Sequence, residues 1–101
     1  MGGQAGAALA VLDELPVGAA TAATAPDGTP VLLVRAAPAV VCGFSAVCPH
    51  LGYRVAPAGP ELVCPYHGSR FDLSGTVVRG PALRDLTPYP VAVVGGSVVP
   101  A

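Results

Sequence analysis

Lysine and tryptophan are absent from this 101-residue chain, methionine occurs once, aromatic residues make up 5% and charged residues 11%. Each shortage excludes something. Five arginines against six acids leave a net charge of −1 and no basic cluster to neutralise a phosphate backbone, so nucleic-acid binding is not expected. The hydrophobic fraction of 52% is rich in alanine, and the core must be built from Val, Leu and a few rings. Long apolar runs are missing too. The longest early one, from Ala7 to Leu12, is far shorter than a membrane span and has no charged flank before it. The chain is therefore expected to carry neither a transmembrane helix nor a complete secretory signal, although an export signal removed before Met1 would leave the same sequence. Length permits one domain, residues 1–101, and no separate catalytic domain of ordinary size. Three cysteines cannot all pair with one another, and a reduced site using two of them as metal ligands explains the odd count better than a disulfide framework.

Proline and glycine, by contrast, are plentiful: twelve and thirteen, spaced so that only residues 1–15 and 66–80 run for fifteen residues without proline. Such spacing disfavours long helices, while short β-branched runs bounded by turn residues recur along the whole length. An all-β fold follows. Strands are expected near 9–12, 19–25, 31–35, 40–46, 61–64, 70–72, 76–79, 91–94 and 97–99. Pro26-Asp27-Gly28-Thr29, Ala37-Pro38, Ser74-Gly75 and Gly95-Gly96 supply the connections. Residues 4–15 are alanine-rich and also suit a helix. Cys42 sits in the run Val40-Val41-Cys42-Gly43-Phe44 and is expected to pack as a small buried hydrophobe.

The chemistry is concentrated in Cys48-Pro49-His50 and, after thirteen intervening residues, Cys64-Pro65-Tyr66-His67. These segments hold both histidines and two of the three cysteines. Gly52 and Gly68 follow them closely, implying two tight loops that face each other. An isolated loop histidine usually does nothing, but two of them paired with cysteines at these spacings read as ligands. Zinc is one candidate, since Cys and His are its ordinary ligands. Its structural sites draw paired ligands from each knuckle at spacings of two to four residues, and Cys-x-His is tight for that. A dinuclear centre relaxes the demand, because each loop can send its cysteine to one metal and its histidine to the other.

The pattern Cys-x-His then Cys-x-x-His resembles that of the Rieske family, in which two thiolates hold one iron and two imidazoles the other. The likeness runs on through His67-Gly68-Ser69-Arg70-Phe71-Asp72 and Gly80-Pro81-Ala82, and spans roughly residues 40–99. It implies a Rieske-like antiparallel β-sandwich base with a small cluster-binding loop subdomain at about 46–82. It also implies one [2Fe–2S] cluster held by Cys48, His50, Cys64 and His67, with Leu51, Gly52, Gly68, Ser69 and Pro81 around it. In such a centre two ferric irons, two sulfides and two thiolates sum to a neutral core that gains one negative charge on reduction. A four-thiolate cluster starts with two negative charges and ends with three. Histidine ligation therefore eases reduction and places the potential at about −150 to +300 mV. Proton loss from the ligating imidazoles should lower the potential as pH rises into the alkaline range.

Two departures separate the chain from the high-potential members of cytochrome bc complexes. Where each of their cluster loops carries a further cysteine, and the pair forms a disulfide, this chain has Tyr53 and Tyr66. Of two hydroxyls that donate to sulfur in those members, Ser69 is kept and the tyrosine is replaced by Phe71. A disulfide-free Rieske-type ferredoxin in the lower half of the potential range, suited to the cytoplasm, is thus implied. It would be an electron carrier and not an enzyme, with a reductase and a terminal oxygenase, or a respiratory complex, as its redox partners. The alternatives are a permanent iron–sulfur subunit of a larger redox complex and a zinc-stabilised interaction domain. The five arginines read as scattered solvated charges.

Overall fold

A computed structural model describes residues 8–47, 54–65, 68–80, 82 and 84–101. Ten short strands follow one another: β1 (Ala10–Val11), β2 (Ala20–Thr24), β3 (Pro30–Ala37), β4 (Val40–Ser45), β5 (Ala56–Ala58), β6 (Glu61–Val63), β7 (Arg70–Phe71), β8 (Val77–Arg79), β9 (Val91–Val94) and β10 (Ser97–Pro100). They form three antiparallel sheets, ordered β1-β10-β9, β2-β3-β4 and β5-β6-β7-β8.

The β2-β3-β4 sheet is the middle layer. Val31, Leu32, Leu33 and Val34 of β3 are all buried, which alternating side chains permit only if both faces of the strand are covered. On one face Leu32, Val34 and Phe44 pack with Val55, Leu62, Cys64, Phe71, Ala82 and Leu86, joining the middle sheet to the β5–β8 sheet. On the other, Leu33 packs with Leu15 and Val98 and with the half-buried Val91 and Val93 of the β1-β10-β9 sheet. The expected two-layer base is thus the first two sheets, and the third carries the segment of Cys64. Complete burial of a side chain such as Phe71 or Leu62 is worth about 1.5–3 kcal/mol.

Several connections form as the turn chemistry requires. Gly28 has φ +91°, and the Asp27 carboxylate accepts from the Thr29 N–H at 2.9 Å across the β2–β3 turn; the Thr29 side chain first and this N–H second hold its acid below the usual carboxylate range. Gly75, in the β7–β8 turn, is at φ +82° beneath the ring of Phe44, and a Cβ there would lie 2.5 Å from Phe44 Cε1. Gly43 of β4 is likewise needed. A Cβ would run into the Tyr89 carbonyl, because the chain at 87–89 pairs along the free edge of β4 through Ser45 N–H to Thr87 O and Tyr89 N–H to Gly43 O, both 2.8 Å.

Four expectations need correction. The strand expected at 9–12 ends at Val11, and Leu12–Glu14 form a short 3-10 turn with two acids near its N-terminus. β5 lies where no strand was expected, around Pro57. It is an edge strand, where proline's missing N–H breaks no ladder. Cys42 is exposed, not buried. It shares the Phe44 face of β4 but sits opposite Val34, on the outer strand of the middle sheet, where that face is uncovered. Arg35, finally, is not a solvated charge. Its guanidinium donates to the carbonyls of Leu12 and Leu15 at 3.0 Å and to that of Pro38 at 2.6 and 3.0 Å, clamping the 3-10 turn to the β3–β4 hairpin.

Candidate metal centre

Of the four expected ligands, Cys64 is described; Cys48, His50 and His67 lie outside the described residues, as do Leu51, Gly52, Pro81, Tyr53 and Tyr66. What the structure shows is how the segments bearing them are closed. The ends of the 48–53 segment are joined by a bridge between Val47 and Arg54 and by the Val55 N–H to Ala46 O bond of 2.7 Å. Cys64 leaves the end of β6, its N–H donating to Ser69 O and its carbonyl accepting from Gly68 N–H, both at 2.9 Å. Gly68 takes φ +76°, a conformation few residues adopt without strain, so the loop can turn back into β7.

The third segment is held by Ser69. Its hydroxyl is completely buried and accepts from the Ala82 N–H at 3.1 Å, tying the chain after β8 to the Cys64 loop. That bond uses an acceptor lone pair. The hydroxyl's own hydrogen has no partner among the described residues, and a buried donor left unpaired costs about 1–3 kcal/mol. A sulfur acceptor bound beside Cys64 would satisfy it. Cys64 itself is a fully buried thiol at the edge of the larger core, shielded from water by Leu62, Phe71 and Ala82. A buried cysteine beside a buried hydroxyl donor with no acceptor among the described residues fits an iron–sulfur group. Phe71, also fully buried, brings no second hydroxyl.

The charges around the segments were missed as a group. Arg54 follows the first segment, Arg70 the second, and Arg79 and Arg84 flank the third; only Arg35 lies elsewhere. Arg70 bonds Glu61 at 2.5 Å with both side chains only partly buried. Such a pair is worth less than about 1 kcal/mol. The positions were visible in the sequence, but a count over the whole chain hides them.

Comparison with known proteins agrees with the geometry. The Rieske [2Fe-2S] domain family matches residues 7–90, and the chain belongs to that family. It is 33% identical over 99 residues to the cytochrome b6-f complex iron-sulfur subunit of Chlorobaculum thiosulfatiphilum, a match covering 87% of this chain and 53% of the relative. The chain spans between about a quarter and a half of the length of such curated relatives. Among solved structures, the plasma membrane Rieske protein of Synechocystis PCC 6803 superposes with a TM-score of 0.79 at 27% identity, covering 93% of this chain and 97% of that one. The ferredoxin of carbazole 1,9a-dioxygenase from Nocardioides aromaticivorans does so at 0.68 and 29%, covering 95% and 96%. Membership of this family means that the chain binds one [2Fe–2S] cluster, and one-electron transfer is the chemistry such a cluster supplies. Among the described residues no helix is long and apolar enough to cross a membrane.

Proposed function

We propose that the chain is a ferredoxin-type carrier, in the cytoplasm, passing single electrons from a reductase to an oxygenase or other oxidoreductase. Cys48 and Cys64 would hold one iron and His50 and His67 the other, within a subdomain of residues 46–82 in a single-domain chain. The bound cluster supplies the one-electron couple. The chain's residues position and shield it: Cys64 by burial, Gly68 by letting the loop turn, and Ser69 by its spare hydroxyl hydrogen and its hold on Ala82. Leu51, Gly52 and Pro81 complete the surroundings in this reading.

The observation that carries the ferredoxin assignment over a high-potential subunit is the cysteine arrangement. The one cysteine beyond the two proposed ligands is Cys42, on β4, about 13 Å of extended strand from Ala46 and the start of the first loop. A disulfide needs two cysteines, and with Cys48 and Cys64 serving as ligands Cys42 has no second cysteine in this chain with which to lock the loops together. A permanent subunit remains the second reading, favoured by relatives that are cytochrome b6-f iron-sulfur subunits.

Ultraviolet–visible and EPR spectra of the purified protein, oxidised and dithionite-reduced, with iron, sulfide and zinc assays, test the ligand set. Two irons, two sulfides and a bis-histidine EPR signal are expected in the native protein, and loss of that signal in His50→Ala and His67→Ala. A colourless protein holding one zinc after anaerobic expression would refute it. Stable co-purification with partner subunits would favour the second reading.

A further inference from the structure

We infer that the end of the molecule bearing the cluster loops is a positively charged docking face for an acidic surface on the redox partner, even though the chain as a whole is negative. The inference rests on the ligand segments proposed above. Residues 47–90 hold Arg54, Arg70, Arg79 and Arg84 against Glu61, Asp72 and Asp85, a net of one positive charge that a neutral oxidised cluster leaves unchanged and a reduced one cancels, so that in the reduced donor the steering rests on where the exposed arginines stand. The rest holds Arg35 against Asp13, Glu14 and Asp27, a net of two negative charges, and together they make the overall −1.

Contacts in the structure join the four arginines around the loops. Arg54 is bridged to Val47 through the backbone, and Val47 lines with Arg84 and Asp85 an open cleft of about 320 Å³, so both arginines stand beside the start of the first loop. Ala82, two residues before Arg84, is bonded to Ser69, which precedes Arg70. Arg70 in turn lies directly opposite Arg79 in the β7–β8 ladder. Like charges paired across strands are destabilising, and Glu61 offsets only one of them. Arg54, Arg79 and Arg84 are exposed and form no ion pair among the described residues. The remaining acids are turned to structural use. Asp85 accepts from the Val77 N–H, and Asp72 lies in the β7–β8 turn, at the opposite end of these strands from Ser69 and Gly80. Val47, 41% exposed between Arg54 and Arg84, adds an apolar spot inside the charged rim, the usual make-up of a transient interface. Charge separated in this way steers an acidic partner toward the end where electrons leave.

Small ions of opposite sign serve as probes. One electron passes from the reduced cluster to ferricyanide, giving ferrocyanide, or to hexaammineruthenium(III), giving the ruthenium(II) ion, and stopped-flow absorbance follows the reoxidation. Between about 10 and 500 mM ionic strength the ferricyanide rate should fall about twofold or more and the ruthenium rate should rise. Both trends should reverse in the cluster-loaded Arg54→Gln/Arg79→Gln/Arg84→Gln protein and persist in Asp13→Asn/Glu14→Gln, which alters net charge at the other end. A ferricyanide rate that rises with salt in the native protein, or a triple variant with native salt slopes, overturns the docking face while leaving the cluster intact. A preparation without iron fails earlier, at the ligand assignment, and takes the docking face with it.

Discussion

Single residues set the tightest constraints here. Gly75 has no room for a side chain and a φ that disfavours one, so Gly75→Ala should destabilise the fold by about 1–3 kcal/mol or more, read as a lower urea midpoint. Three bonds into the Asp72 carboxylate, from the Ser74 N–H, the Ser74 hydroxyl and the Thr76 N–H, close the same turn. The Ser74 hydroxyl is the largest cause holding this acid below the usual carboxylate range, opposed by desolvation and aided by the Thr76 and Ser74 N–H groups. A carboxyl depressed in the folded state stabilises above its unfolded value and loses that contribution as pH falls through the folded one. Denaturation midpoints measured from about pH 7 down to about pH 2 should therefore fall more steeply below about pH 4 in the native protein than in Asp72→Ala. Residue type alone misjudged Cys42. Alternation puts it on the face of Phe44, and burial depends on what lies over that face, which no local pattern records.

At the level of elements, Arg35 adds polar bonds between two pieces that otherwise meet through the apolar packing of Leu12 and Leu15 with Leu33 and Val41. Arg35→Ala leaves the carbonyls of Leu12, Leu15 and Pro38 without their donor and should cost about 1.5–3 kcal/mol, with hydrogen exchange rising first near residues 12–18. Most strands were legible because turn residues bracket β-branched runs: β2, β3, β4, β9 and β10 lie within a few residues of their expected places. β5 was not, since Pro57 and the Gly59-Pro60 pair read as loop, and only pairing with β6 makes an edge strand of them. Leu12–Glu14 coils where apolar alternation read as strand, its acids favouring a helical first turn. The ligand set came from motif spacing and family likeness, because both histidines stand in short segments bracketed by proline and glycine, where periodicity says nothing. The segment 87–89 running beside β4 had no signal beyond Gly43, whose need for an open face shows only once Tyr89 is in place.

For the whole molecule, in the site proposed above the combination of Ser69 with a buried Phe71 would set how far the surroundings favour the reduced cluster. One hydroxyl donor in place of two should keep the midpoint below about +75 mV, in the lower half of the Rieske range. Ser69→Ala should lower it by a further ~40 mV, the one-electron equivalent of about 1 kcal/mol. Protein-film voltammetry reads both, and a native midpoint well above that limit would contradict the assignment of donors. The first and last strands, β1 and β10, pair with each other on the sheet that faces away from β5–β8. A linker fused after β10 would consequently fasten the protein by its blind side, so that immobilisation on an electrode through that end would leave the proposed docking tip pointing into solution and wired for exchange with a dissolved mediator.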